Sequence, residues 1–254
     1  MASRRALADA LEGAVVRDEI HVEFQPQVDL QTGAIVGAEA LSRWRNDEFG
    51  RIPPANFIPL AEDTGAIHEI GRYMIDQGFK CAADWARRGI PLSISVNVSP
   101  IQLRNSVIVE HIAANLDRRS VAPEMFSIEI TESLPLEDLP ATVQRLNDIR
   151  GLGIGVSIDD FGSGYSTVEL IETLPCTELK FDLSLLHDRS EEADNLMRRI
   201  VGDVKPRGIR VVAEGIETVS QLYRARDLGC DRAQGYLTGR PVSCSELELM
   251  LERP

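Results

Sequence analysis

The chain has no block of basic residues, and its 40 acidic side chains outnumber 27 lysines and arginines, for a formal charge of −13. Such an average surface repels nucleic acid and anionic membrane, so a phosphate-bearing ligand has to be held locally against the mean field. Cysteine is scarce: Cys81, Cys176, Cys230 and Cys244 form no C-x-x-C pair and have no histidine at zinc-ligand spacing. They read as reduced thiols, mostly in the core, in a reducing compartment. No run approaches the roughly 20 apolar residues of a membrane span. Asp9 and Glu12 interrupt the apolar segment after Arg4 and Arg5, which argues against a signal peptide. No Ser/Pro/Gly-rich linker or low-complexity tract divides the 254 residues. The expectation is one α/β domain over 1–254, cytoplasmic or the cytoplasmic piece of a larger protein.

What is present is alternation. Short strand-like runs, "HVEFQPQV", "IVGAEALS", "LSISVNVS", "MFSIEITES", "IGVSIDD", "ELKFD", "RVVAEG" and "CDRAQGY", are separated by longer amphipathic segments. Over residues 69 to 88, Ile70, Tyr73, Met74, Cys81 and Trp85 fall on one face and predict a core-facing helix. Eight strands with helices between them fit an eight-stranded (β/α) barrel, in which functional groups collect at the C-terminal ends of strands. The rival is an open doubly wound sheet, but no G-x-G-x-x-G follows an early strand.

The runs end on polar residues: Glu39, Asn97, Glu129 with Glu132, Asp159 with Asp160, Lys180, Glu214 and Gln234. One acid at a strand end commonly caps a helix or meets water. In a barrel, however, these ends converge on one mouth. Adjacent carboxylates such as Asp159 and Asp160, about 4 Å apart, repel by roughly 4 kcal/mol at an effective dielectric near 20. Five carboxylates (Glu39, Glu129, Asp159, Asp160, Glu214) and the Asn97 amide could not share a small volume fully ionised without cations. The all-oxygen set suits Mg2+ or Mn2+ and argues against zinc. Two such ions and Lys180 bring +5 against −5, with Asp159 placed to bridge. A two-ion carboxylate site suits phosphoryl chemistry, and metal would recruit the anion that the surface repels.

The strings "GAEALSRW", "FIPLAEDTG", "SVNVSPIQL", "IEITES", "SIDDFGSGYS", "ELKFD", "VVAEGIET" and "GCDRAQGYL" resemble, in order and from about Phe24 to Pro241, the EAL-domain phosphodiesterases, which hydrolyse cyclic di-GMP to linear pGpG. The resemblance implies a modified (β/α)8 TIM-type barrel. It implies Glu39, Asn97, Glu129 and Asp159 as ligands of one metal, and Asp159, Asp160 and Glu214 around a second. Lys180 is similar to the lysine that helps hold the attacking water, and Glu214 stands where a general base has been proposed. Gln25, Leu41, Arg43, Asp160 and Gln234 match substrate-side positions, Arg43 through a phosphate. A surface ion pair is the plainer role for Arg43, and a helix contact for Gln234. Glu132 resembles the glutamate that orders the loop "DFGSGYS"; that loop could also be a simple tight turn. Glu217 reads as an acid near a helix start. Gln27 and Leu183 depart from the small apolar residue and the arginine usual in relatives, which bears on packing or partner contacts. The resemblance admits a homodimer. It also leaves two alternatives to cyclic di-GMP hydrolysis: a receptor that binds the dinucleotide without turnover, and an enzyme for another phosphodiester.

Overall fold

Period-two alternation of apolar residues makes nine strands among the described residues, which in this computed structural model are 3–131, 139–162 and 168–252. They are β1 (Ile20–Asp29), β2 (Ile35–Asn46), β3 (Gly50–Ile52), β4 (Ser93–Asn97), β5 (Phe126–Thr131), β6 (Gly155–Phe161), β7 (Glu178–Phe181), β8 (Arg210–Ala213) and β9 (Arg232–Gln234). The hydrogen-bonded order β1-β9-β8-β7-β6-β5-β4-β2 closes through a β1–β2 pairing, giving an eight-stranded barrel. The short β3 lies outside that ring, paired with the far end of β2.

Six barrel contacts are parallel, whereas β1 runs antiparallel to both β2 and β9. The cause is local. Asp29 Oδ1 accepts hydrogen bonds from the Gln31 and Thr32 amides, and Gly33 adopts φ 73°, so β1 turns directly into β2. Strands joined by so short a turn pair antiparallel, because a parallel return needs a crossover of a dozen residues or more. The modified (β/α)8 barrel expected from the sequence is thereby observed, the modification being a reversed first strand.

The helices are α1 (Arg4–Leu11), α2 (Pro54–Thr64), α3 (Ile67–Arg87), α4 (Val107–Arg119), α5 (Leu139–Gly151), α6 (Val168–Thr173), α7 (Leu183–His187), α8 (Glu191–Val204), α9 (Val219–Asp227) and α10 (Cys244–Leu251). The helix predicted over 69–88 is α3; Ile70, Met74 and Trp85 are buried, while Tyr73 and Cys81 are half-buried at its flank. Only Cys230 of the four cysteines is buried, so a mostly core placement of the thiols does not hold. No described helix is long and apolar enough to cross a membrane.

The main core lies outside the barrel wall. Ile94, Val96, Ile128, Ile130, Val156 and Ile158 point outward and are fully buried in one apolar cluster with the helices. The alternate residues point inward, and they are polar: Ser95, Glu129, Ser157, Asp159, Glu178 and Lys180 are all buried. Barrels of this type are commonly filled by branched apolar side chains. This one holds charge.

Candidate active site at the barrel mouth

Alternation and register deliver the acids to one place. Glu39 sits opposite Gln25 on β1 and Ser95 on β4, and Asn97 sits opposite Glu129. On β6 the alternation is broken: Ile158 pairs with Leu179, but the next pair is Phe161 with Phe181, so β6 carries one extra residue. That bulge places Asp160 at φ 56°, a left-handed conformation costing on the order of 1 kcal/mol for a non-glycine residue. Two adjacent residues of a regular strand face opposite sides. The bulge lets Asp159 enter the barrel, 8% exposed, while Asp160 turns into the open mouth. Glu214 follows β8, and Gly215 at φ 62° turns the chain there; a Cβ on Gly215 would lie 2.4 Å from Leu183 Cδ1.

Lys180 is fully buried at the centre, its Nζ 2.7 Å from Glu214 Oε1, 2.8 Å from Glu129 Oε2, 3.0 Å from Asp159 Oδ1 and 3.5 Å from Glu39 Oε2. Burial opposes its charge, but Asp159, Glu129, Glu214 and Glu39 together outweigh burial and hold its pKa well above the ordinary lysine value. One ammonium cannot balance five acids. Burial first and the Glu39 charge second push the Glu129 carboxyl well above the carboxylate range, with Lys180 partly opposing. Burial also raises Glu214 against the pull of Lys180. Asp160 is pushed up to about 6, first by loss of surrounding water and then by Asp159.

Two groups of three carboxylates have oxygens within 4.8 Å of one another: Glu39, Glu129 and Asp159, and Asp159, Asp160 and Glu214. Among the described residues, Glu129 Oε1 is buried with no hydrogen-bond partner, and Asp159 Oδ1 faces the ammonium without the alignment of a hydrogen bond. Orphaned buried acceptors are rare in folded proteins. Their presence in a hard-oxygen set fits a divalent cation, whose charge would favour the ionised form of the raised carboxyls. The Asn97 amide donates from Nδ2 to Glu39 Oε1 at 2.5 Å. That leaves its Oδ1 as an acceptor.

Glu39 is held from below by a chain of amides. Arg232 Nη1 donates to Gln27 Oε1 (3.2 Å), Gln27 Nε2 to Gln234 Oε1 (3.0 Å), and Gln234 Nε2 to Glu39 Oε2 (2.5 Å). All three bonds point the same way, from guanidinium to carboxylate, an arrangement in which successive bonds polarise one another. Gln27 is therefore a buried connector between Arg232 and Gln234. Gln234 takes this supporting place beside Glu39.

Two cavities open beside the acids and share Glu39. One, about 380 Å³, includes Gln25, Asp160, Glu214, Gln234 and Tyr236. The other, about 340 Å³, includes Leu41, Arg43, Ile58, Met74 and Asn97. Arg43 donates from Nε to Glu23 Oε2 at 2.7 Å, so it makes an ion pair while also lining the cavity. Glu217 immediately precedes Thr218, the N-cap of α9, as expected of an acid near a helix start. Leu183 begins α7 and lines the larger cavity. Glu132 and residues 163–166 of "DFGSGYS" lie outside the described residues.

Three lining residues went unnamed from sequence. Tyr236 is half-exposed with the Arg240 guanidinium 4.1 Å above its ring, Glu62 accepts a 2.6 Å hydrogen bond from Ser99, and Asp182 caps α7. Each stands inside a string already singled out, "GCDRAQGYL", "FIPLAEDTG" and "ELKFD"; the signal was present, but side-chain direction was not.

The model of the EAL domain family matches residues 8–241. The chain is similar to the bifunctional diguanylate cyclase/cyclic di-GMP phosphodiesterase MucR of Pseudomonas aeruginosa, with 35% identity over 93% of this chain and 35% of the relative. It is also similar to cyclic di-GMP phosphodiesterase PA2567 of the same organism, 35% identical over 97% of this chain and 43% of the relative. The chain thus spans about two fifths or less of these curated relatives. Among solved structures, the PaMucR phosphodiesterase in complex with c-di-GMP superimposes with a TM-score of 0.87 at 34% identity, over 95% of this chain and 99% of that one. An EAL domain protein from Listeria monocytogenes gives 0.83 at 27%, over 98% and 97%. Closed barrel, reversed first strand and family match agree, and the chain belongs to the EAL domain family.

Proposed function

We propose that this chain is a metal-dependent phosphodiesterase that hydrolyses cyclic di-GMP to linear pGpG. The observation that carries the reading is the pair of three-carboxylate groups sharing Asp159 around a buried lysine. The names of MucR and PA2567 support the substrate. Glu39, Asn97, Glu129 and Asp159 would hold one ion, and Asp159, Asp160 and Glu214 a second, Mg2+ or Mn2+ by the all-oxygen donor set. Bound there, such ions supply positive charge to a phosphoryl group and acidify water.

The remaining work falls to the chain's own groups. The Lys180 ammonium, with three donors, orients Glu129 and Glu214 and has its third N–H to offer to the attacking water. Glu214, with a raised affinity for protons and partial exposure, is placed to take the proton that water loses. Water adds at phosphorus, one ester P–O bond opens, and the released alcohol oxygen takes a proton. Arg43 would exchange Glu23 for a phosphate, with Leu41, Gln25 and Gln234 bounding the two cavities on either side of Glu39. Two lobes joined at the acids suit a ligand with two bases and a phosphodiester ring between them. Cytoplasmic action on a small nucleotide, as a monomer or a homodimer, accords with a −13 surface that disfavours polymeric nucleic acid. The complete acid set favours turnover over binding alone. Incubation with cyclic di-GMP and Mg2+ or Mn2+, followed by chromatography, should yield pGpG; intact dinucleotide under both metals would overturn the reading.

A further inference from the structure

The opposite end of the barrel holds a third cavity, of about 210 Å³, that no step above uses. Its lining is inverted in charge from the mouth: Arg150, Arg210 and Arg232 against Glu124 and Glu178. In a chain of net −13, a local excess of cations facing an interior space is unusual. Hydroxyls of Ser93, Ser95, Ser127 and Thr177 complete the wall. Gly155 also borders the space, where a Cβ would meet Ser127 Cβ at 2.9 Å.

The polar groups here are only partly used. Glu178 Oε2 accepts from Arg210 Nη1 at 2.9 Å and lies 3.9 Å from Arg232 Nη1, while Glu178 Oε1 accepts from Ser157 at 3.2 Å. Arg232 Nη1 also donates to Gln27 and to Ser93 Oγ at 3.1 Å. Among the described residues these bonds engage Nη1 alone, and each guanidinium has five donors. Ser95 is 5% exposed, and its Oγ has no hydrogen-bond partner although it borders the cavity. A hydroxyl so placed is satisfied by an occupant or remains unpaired at a penalty. Burial, and then the charge of Arg210, hold the Arg232 pKa below its ordinary value; an anion beside the pair would offset the second cause.

We propose that this floor cavity is a binding site for a small oxyanion of the phosphate class, held by Arg210, Arg232 and the Ser95 hydroxyl. The volume admits a phosphate ion with a few waters and is too small for a dinucleotide. The guanidinium fork matches tetrahedral oxyanions, and the hydroxyl supplies a buried donor. An occupant touches the same guanidinium that begins the amide chain ending at Glu39. This site stands independently of the reaction assigned to the mouth.

The test uses the full chain freed of metal with EDTA, so that the acidic mouth repels anions, and inorganic phosphate as probe at constant ionic strength. Calorimetry should give saturable binding, with a matching rise in melting temperature. Arg210→Gln should weaken the affinity by about tenfold or more, the loss of one charge-assisted hydrogen bond. Ser95→Ala, which breaks no bond in the free protein and so should fold normally, should weaken it about threefold or more. No saturable heat with the parent chain, or equal affinity in both variants, would overturn the proposal; the second result would mean a general salt effect.

Discussion

The two ends of the barrel interior are built on opposite plans. At the mouth one cation, Lys180, is surrounded by carboxylates; at the floor one carboxylate, Glu178, is shared between two arginines. The floor comes close to balance within the protein. The mouth does not, so the proton affinities of its Glu129 and Glu214 carboxyls are raised and two of its buried oxygens lack hydrogen bonds. An imbalance of that sign, kept inside a wall of buried strands, is the mark of a place completed by an external cation, whereas the floor's smaller excess awaits an anion.

Breaking the mouth should have the largest effect. Glu39→Ala removes an acid common to the metal set and both cavities, and the loss of several kcal/mol of charge stabilisation should lower the hydrolysis rate about 1,000-fold or more. Circular dichroism should be unchanged; retained activity would mean that the metal lies elsewhere. Next comes Lys180→Met, which leaves buried acids with no cation. It should destabilise the metal-free protein by about 3 kcal/mol in urea unfolding, and Mg2+ should recover part of that loss.

The matching change at the floor, Glu178→Gln, should be milder, about 2 kcal/mol, because Arg210 is 45% exposed and can turn to water. Its hydrolysis rate should stay within about threefold of the parent if the two ends differ in role as described. Gln27→Leu tests the link between them. Loss of the amide chain frees the Glu39 carboxylate, and Mn2+ affinity by calorimetry should fall about tenfold, while Gln27→Glu restores one acceptor but not the donor to Gln234.

The smallest effect is a pH trend. Asp160 is raised from 3.8 to about 6, so between those values the folded chain binds more protons than the unfolded one, and stability falls as pH rises through that window. Glu129 and Glu214, raised likewise, extend the fall to higher pH. Lys180, raised from 10.5, contributes stability fully present below 10.5 and lost as pH climbs through its folded value. Glu19, held at about 2 by Arg17, loses its contribution only as pH drops below 4.5, mostly beneath the window. Melting temperature of the metal-free protein should therefore decline from about pH 4.5 toward 7. Saturating Mg2+ should flatten the decline, since the cation favours the ionised carboxyls; parallel curves would remove the mouth as the cause.

Much of this was legible in the chain because the runs announce themselves and their polar ends are few. "VSIDD" and "ELKFD" show both an apolar outer face and a charged inner one, and that alternation is a property of the strand alone. Strand direction is not. Nothing in "HVEFQPQV" distinguishes a parallel from a reversed strand, and only the tight Asp29–Gly33 turn decides it. The bulge at Asp160 was equally hidden, since an extra residue becomes visible only against its partner strand. The floor was missed for a different reason. Glu178, Arg210 and Arg232 open their strands, where a charged residue ordinarily meets solvent, and only closure of the barrel turns them toward one another. Gln27 stood out as unusual, but its bond to Gln234 spans 207 positions that no local pattern connects.

The most direct test of the central claim is an anomalous difference map from a crystal of this protein soaked in Mn2+. The account predicts two peaks at the mouth, one among Glu39, Asn97, Glu129 and Asp159 and one among Asp159, Asp160 and Glu214. A map with full manganese occupancy elsewhere, or none, and no density among these carboxylates would contradict it.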